Sequence, residues 1–152
     1  MSFVKKFKIL TAYILGFFYF NVGITHFTNP DFFLIIMPTY IPWQEFFVYL
    51  SGVFEILFGL MLFFKKTRTY GGLGIFILLI FVYPANIYLY ESYEAQELMK
   101  ITKQGSLVRL FFQIPLLVLA FWHSKEKTSK KLDYVCCILF IPTILYFVTL
   151  TN

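Results

Sequence analysis

The stretch FVYLSGVFEILFGLMLFF, residues 47–64, decides the fold. It is nearly as long as the roughly 20 apolar residues that cross the hydrocarbon core of a bilayer. Its one acidic or basic residue is Glu55. A carboxylate in such a segment is costly facing lipid, so Glu55 is expected to face protein and to hold a polar partner. Ser51, Gly52, Glu55 and Gly59 fall close to one helical face. Small residues on that face admit a neighbouring helix, and a polar residue among them can hydrogen-bond across the contact.

The rest of the chain agrees with a membrane solvent. Of 152 residues, 59% are hydrophobic and 22% aromatic, and only 14% are charged, against roughly 25% charged in ordinary globular proteins. The 21 Phe and 11 Tyr cannot all be hidden in the core of so small a soluble domain. Four further apolar runs cover about 9–24, 70–90, 107–122 and 134–150. Period-two alternation is absent and the runs are too long for barrel strands, so all five are read as helices. The fold class is an all-α integral membrane protein. It is expected to have a compact four-helix transmembrane bundle over residues 1–123, with a basic loop and a fifth C-terminal helix over 124–152. Pro142 lies inside the fifth run, which leaves a re-entrant or interfacial hairpin as its alternative.

Charge sets the expected orientation. Ten of the thirteen Lys and Arg (Lys5, Lys6, Lys8, Lys65, Lys66, Arg68, Lys125, Lys127, Lys130 and Lys131) fall on one side of the five spans, leaving Lys100, Lys103 and Arg109 on the other. Basic loops stay inside, so the N-terminus is expected in the cytoplasm and the C-terminus outside. The first span follows a basic flank like a signal peptide but lacks a small-x-small cleavage site, so it is expected to be retained. The net charge of +5 is assigned to loops facing anionic headgroups. No folded nucleic-acid-binding module accompanies it.

Several chemistries are excluded by residue type. Cys136 and Cys137 are adjacent, and neighbouring Cα atoms about 3.8 Å apart are too close for an ordinary disulfide. No CxxC is present. His26 and His123, the only histidines, belong to opposite membrane faces separated by about 30 Å of hydrocarbon. They cannot share a haem or a metal, so no metal site and no intrinsic cofactor are expected. Nucleotide loops, HExxH and nucleophile elbows are absent, and no catalytic residue is assigned.

Depth then groups the polar residues. The second apolar run covers 43–64 and enters near Trp43, so Glu55 lies twelve residues deep, about 18 Å at the helical rise of ~1.5 Å per residue. Pro84, Asn86 and Tyr88 fall in the outer third of the next span, and Arg109 and Gln113 share a face of the fourth. His26 belongs to the same outer layer. His26, Glu55, Asn86, Arg109 and Gln113 are therefore the candidate ligand-binding set of a polar pocket in the outer half. The alternative is structural: a hydrogen-bonded Glu55, an Arg109 snorkelling to headgroups, and an Asn86 satisfying a carbonyl freed by Pro84. The linker GITHFTNPDFFLIIMPTYIP is broken by Pro30, Pro38 and Pro42. It is expected to form a short surface helix covering the pocket.

That linker, together with YLSGVFEILFGLMLFF, FVYPANIYLY and RLFFQIP, resembles the DoxX-like membrane proteins over about residues 10–123. The residues carrying the resemblance are Gly23, His26-Phe27, Pro30, Pro38, Gly52, Glu55, Gly59, Pro84-Ala85-Asn86, Arg109 and Gln113. It implies a four-helix bundle in the bacterial plasma membrane and a role beside quinone-linked redox enzymes. The leading functional expectation is an accessory, ligand-holding subunit of a membrane redox system, with a quinone in the outer pocket. Electrons would come from a membrane protein partner, and a homo-oligomer is the alternative assembly. Two other readings stand beside it: a binding or transport protein for a lipid or small amphipathic molecule, and a non-catalytic assembly scaffold. An enzyme using His26 and Glu55 as acid and base is the remaining one.

Overall fold

In the computed structural model, residues 2–150 are described and form seven helices. The last two residues of the segment 124–152 lie outside that range. Five helices are long and apolar enough to cross a membrane: α1 (Phe3–Thr28), α3 (Gln44–Phe63), α4 (Arg68–Glu91), α6 (Lys103–His123) and α7 (Lys130–Leu150). Two short helices, α2 (Pro30–Leu34) and α5 (Tyr93–Leu98), lie in the connections at one end. α1, α4, α6 and α7 extend beyond their apolar runs, because polar flanks continue the hydrogen-bond ladder into the interface, whereas α3 stays within its run. The fifth run is one continuous helix with Pro142 inside it, not a hairpin.

Burial is inverted relative to a water-soluble bundle. Phe17, Leu57, Ile80, Phe81, Phe111 and Ile138 are exposed, whereas Thr11, His26, Glu55, Asn86, Gln113, His123 and Thr143 are buried. Hydrocarbon covers the first set. It offers the second no hydrogen bonds, so those side chains must find partners inside the protein. This is an all-α integral membrane protein.

The tightest seam joins α1 to α3. A Cβ built on Gly16 would lie 2.8 Å from the Gly59 carbonyl oxygen, and one on Gly59 would lie 2.8 Å from that of Gly16. Gly23 and Gly52 form the second such pair, with Cβ positions 2.7 and 3.0 Å from the opposing carbonyl oxygens. The glycines recur seven residues apart on both helices, which keeps the antiparallel seam on one face of each. Backbones this close gain dispersion contacts that no larger residue allows.

The remaining helices complete a ring. α4 folds back on α3 through the turn 64–67, with Gly71 against the Phe58 carbonyl and Gly74 beneath the Phe58 ring. α6 meets α4 where Gly72 abuts the backbone of His123 and Ser124. α7 lies across α6 and α1, contributing Cys136, Phe140 and Ile144 to a core shared with Leu15, Tyr19, Leu116 and Leu119. At the end that carries the basic loops, Lys8 Nζ donates to the Lys125 carbonyl (2.8 Å), and Trp122 Nε1 donates to Asp133 Oδ1 (2.8 Å). The first bond ties α1 to the connection between α6 and α7, and the second ties the start of α7 to α6.

The connection between α1 and α3 ends at Trp43, whose backbone is left-handed (φ 53°). That conformation is uncommon for a bulky residue and turns the chain sharply into α3. At the same end, Gln96 of α5 donates to the carbonyls of Leu89 (3.0 Å) and Tyr90 (2.8 Å), capping the end of α4.

The seam predicts a specific sensitivity. Gly59→Leu would force α1 and α3 apart and is expected to destabilise the protein by about 1–3 kcal/mol, the usual cost of overpacking. Ile138→Ala, on the lipid-facing side of α7, is expected to change stability far less. Thermal unfolding of both variants in mild detergent checks this; equal behaviour would contradict the seam.

Candidate functional site

The five candidate residues form two groups on opposite helix pairs. His26 and Glu55 meet between α1 and α3, and Asn86, Arg109 and Gln113 meet between α4 and α6. Among the described residues, no hydrogen bond or ion pair joins one group to the other.

In the first group the seam sets the geometry. Gly52 leaves room for His26, since a Cβ there would fall 2.6 Å from the His26 Cβ. The imidazole lies across α3 and is buried, as is Glu55. His26 Nδ1 is 2.8 Å from the Val48 carbonyl oxygen and 3.3 Å from Ser51 Oγ. His26 Nε2 is 3.1 Å from Glu55 Oε2, an ion-pair distance, and that oxygen has no hydrogen-bond partner among the described residues. Phe33 of α2 stacks on the imidazole with ring centroids 3.5 Å apart, sealing it from above.

These contacts fix the protons. A carbonyl oxygen can only accept, so Nδ1 carries hydrogen and donates to Val48. One further proton on the pair, on the carboxyl group or on Nε2, gives either a carboxylic acid beside imidazole or an imidazolium beside carboxylate. Both forms are neutral as a pair, which is how a buried acid and base avoid a net charge in hydrocarbon. Ser51, His26 and Glu55 have the composition of a hydrolase triad, but the proton on Nδ1 faces the serine. Ser51 Oγ itself donates to the Val48 carbonyl (2.9 Å), so the imidazole cannot activate it as a nucleophile in this arrangement. Tyr19, whose buried hydroxyl lacks a partner among the described residues, stands within electrostatic reach of Glu55.

The second group is a one-way string of donors. Arg109 Nε donates to Asn86 Oδ1 (2.8 Å), Asn86 Nδ2 donates to Gln113 Oε1, and Gln113 Nε2 donates to the Leu79 carbonyl (2.9 Å). Arginine can only donate and a carbonyl can only accept, so both ends dictate the orientation of the two amides. Pro84 has no N–H to give the carbonyl of Ile80, four residues earlier. The Gln113 bond goes to the neighbouring carbonyl of Leu79, and Asn86 bonds to Gln113 and Arg109.

Neither group lines the groove between α3 and α4. This groove has a volume of about 560 Å³ and is bounded by Phe47, Phe54, Phe58, Ile77, Phe81 and Ala85, with Met37, Pro38 and Ile41 of the linker over one end. Its one hydrogen-bonding side chain is Ser51, which links it to His26. The linker covers both places: Phe33 lies over His26, and Met37, Pro38 and Ile41 lie over one end of the apolar groove. The sequence spacing gives Ser51 only the part of a small packing residue. Its second role, like those of Tyr19 and Gln96, depends on neighbours from other helices that spacing along the chain does not reveal. Among the described residues, no cluster of His, Cys, Asp and Glu could hold a metal ion.

The fold and these sites define a polytopic α-helical membrane protein with a polar interior. Residues 15–124 match the model of the domain of unknown function DUF8561, and the chain belongs to that family. This corrects the DoxX-like resemblance: the segments that suggested it lie almost wholly within the matched region, and no DoxX family matches. Their small–polar–small spacing and Pro–Ala–Asn turn are general solutions to packing polar helices in hydrocarbon, so they do not specify a family. No curated protein and no solved structure matches the chain.

Glu55→Gln is expected to fold with a stability loss of less than about 1 kcal/mol, because the amide can donate to Nε2. Glu55→Leu leaves the imidazole nitrogen unpaired and is expected to cost about 1–3 kcal/mol. Nitrogen NMR of labelled histidine should find hydrogen bonded to Nδ1 of His26 in the wild-type protein. A bare Nδ1 would overturn the proton assignment.

Proposed function

We propose that this chain binds the apolar tail of a membrane-borne amphiphile in the α3–α4 groove, as a non-enzymatic binding or carrier protein of the bilayer. The observation that carries this reading is the groove itself. Its volume falls within the roughly 300–1,000 Å³ of small-molecule sites. On α4 it extends from Gly74 to Ala85, about 16 Å at the helical rise and so about half of the hydrocarbon thickness. A groove one leaflet long, walled by aromatic rings and open between lipid-facing residues, suits a single hydrocarbon tail entering sideways. The linker covers its end nearest the interface, where the headgroup would emerge.

The proposal departs from the quinone expectation for a chemical reason. A quinone ring requires free donors for its carbonyl oxygens. Here Nδ1 of His26 donates to Val48, Asn86 and Gln113 each donate an amide N–H within the protein, and Arg109, whose terminal nitrogens are free of partners among the described residues, does not line the groove. Ser51 alone faces the groove with a hydroxyl. A tail needs none of these donors.

A palmitate analogue carrying a diazirine on its chain tests the reading. Irradiation in proteoliposomes should concentrate label on Phe54, Phe58, Ile77 and Phe81. Ala85→Trp, which fills the groove, should cut that labelling several-fold, whereas Ile138→Trp should not. Label spread evenly over all lipid-facing helices would dispose of the groove as a binding site.

The N-terminus is proposed to be cytoplasmic, in a bacterial plasma membrane. Its support is the charge asymmetry of the loops, where Lys65, Lys66, Lys125, Lys127, Lys130 and Lys131 cluster at the end shared with Lys5 and Lys6. Single cysteines introduced at Thr67 and Ser129 should resist a membrane-impermeant maleimide in intact cells, while one at Glu94 should react. The reverse pattern would invert the topology.

A further inference from the structure

We infer that Arg109 is the anchor of a second site, one that takes the phosphate group of a membrane phospholipid between α4, α6 and α7. The inference is independent of the groove, which lies on the α3 side of α4. Arg109 is six residues from the start of α6 at Lys103, about 9 Å at the helical rise and hence near the boundary between headgroups and hydrocarbon. It is only partly exposed. Among the described residues no carboxylate pairs with it; the one such pair is His26 with Glu55.

The guanidinium is nevertheless held in place. Asn86 Oδ1 takes the Nε hydrogen at 2.8 Å, and the amides behind it are locked in direction as far as the Leu79 carbonyl. Each amide in the string turns its oxygen towards Arg109 and its N–H away. Their negative ends therefore converge on the cation and stabilise its charge without neutralising it. The terminal nitrogens of Arg109 have no hydrogen-bond partner among the described residues. Tyr146 of α7 stacks on Phe112, three residues along α6 from Arg109, with centroids 4.1 Å apart.

A snorkelling arginine would be free to follow the headgroups. This one has its inner nitrogen tethered and presents a planar pair of donors, the geometry that matches two oxygens of a phosphate. An uncompensated cation at this depth requires an anion, and the phosphodiester of a lipid is the anion present there. The same donors would accept inorganic phosphate from water, so the experiment must separate the two sources.

Binding is measured by native mass spectrometry of the whole protein released from mild detergent, with dioleoylphosphatidylglycerol as probe. Dioleoylglycerol, with the same tails and no phosphate, serves as control. The phospholipid should be retained over the control, and Arg109→Leu should weaken its binding about 10- to 100-fold, the worth of a charge-assisted hydrogen bond. Lys103→Leu should change it by less than about three-fold, because that ammonium is exposed at the helix start. Asn86→Ala should give an intermediate loss, since it frees the guanidinium without removing it. Competition by millimolar inorganic phosphate would support the phosphate site and assign it to the soluble ion. Equal retention of the two lipids, or equal losses in the Arg109 and Lys103 variants, would overturn the proposal. If Arg109→Leu does not fold, solid-state NMR of the wild-type protein decides. A carbon–phosphorus dipolar coupling between Arg109 Cζ and the lipid phosphorus is expected, and its absence would overturn the site.

Discussion

The contact on which the rest of the molecule depends is the backbone-to-backbone approach of α1 and α3 at Gly16–Gly59 and Gly23–Gly52. It brings two helices close enough for His26 to lie across α3 and reach a carboxylate one turn further along. A larger side chain at position 52 would collide with His26 before the imidazole reached Glu55. The polar pair is thus a consequence of missing side chains. Buried acid and base would be a liability if either stood alone in hydrocarbon, and together they are a neutral unit closed by Phe33.

The two helix pairs solve the same solvation problem in different ways. Between α1 and α3 a proton shared by acid and base removes the charge. Between α4 and α6 the charge of Arg109 is kept, and oriented amide dipoles support it. The seam joining the two pairs, α3 against α4, carries little polarity; it is close-packed at Gly71 and Gly74 against Phe58 and opens into the groove beyond them. Polar bonding rigidifies each pair, while the apolar interface between them leaves space for a hydrocarbon guest.

Much of this was legible in the sequence. Apolar run length located all five spanning helices, because the bilayer imposes a length that a soluble core does not. The need to satisfy Glu55 predicted its burial, and the three linker prolines predicted a broken surface segment. Depth along a helix also put His26, Asn86 and Arg109 in the same end of the bundle. Depth does not give azimuth, however. Which side of α4 Asn86 faces, and hence that it meets Arg109 rather than His26, depends on the rotation of each helix about its axis. That rotation is set by glycine contacts between helices distant in sequence. The DoxX-like resemblance failed for a related reason: motifs written by helix packing recur wherever polar helices pack.

The position of Glu55 also bears on biosynthesis. An acidic side chain near the centre of a span raises the free energy of insertion by about 2.5–3.5 kcal/mol on translocon scales. During synthesis the helix that carries it must leave the translocon before its packing is complete. Of the five spanning helices, α3 has the highest mean hydropathy, 2.1 against 1.5 to 2.0 for the others. The excess of Phe, Leu and Ile around the carboxylate therefore does more than face lipid. It lets α3 enter the bilayer on its own apolar surface, with α1 already in place to present His26 to the incoming acid.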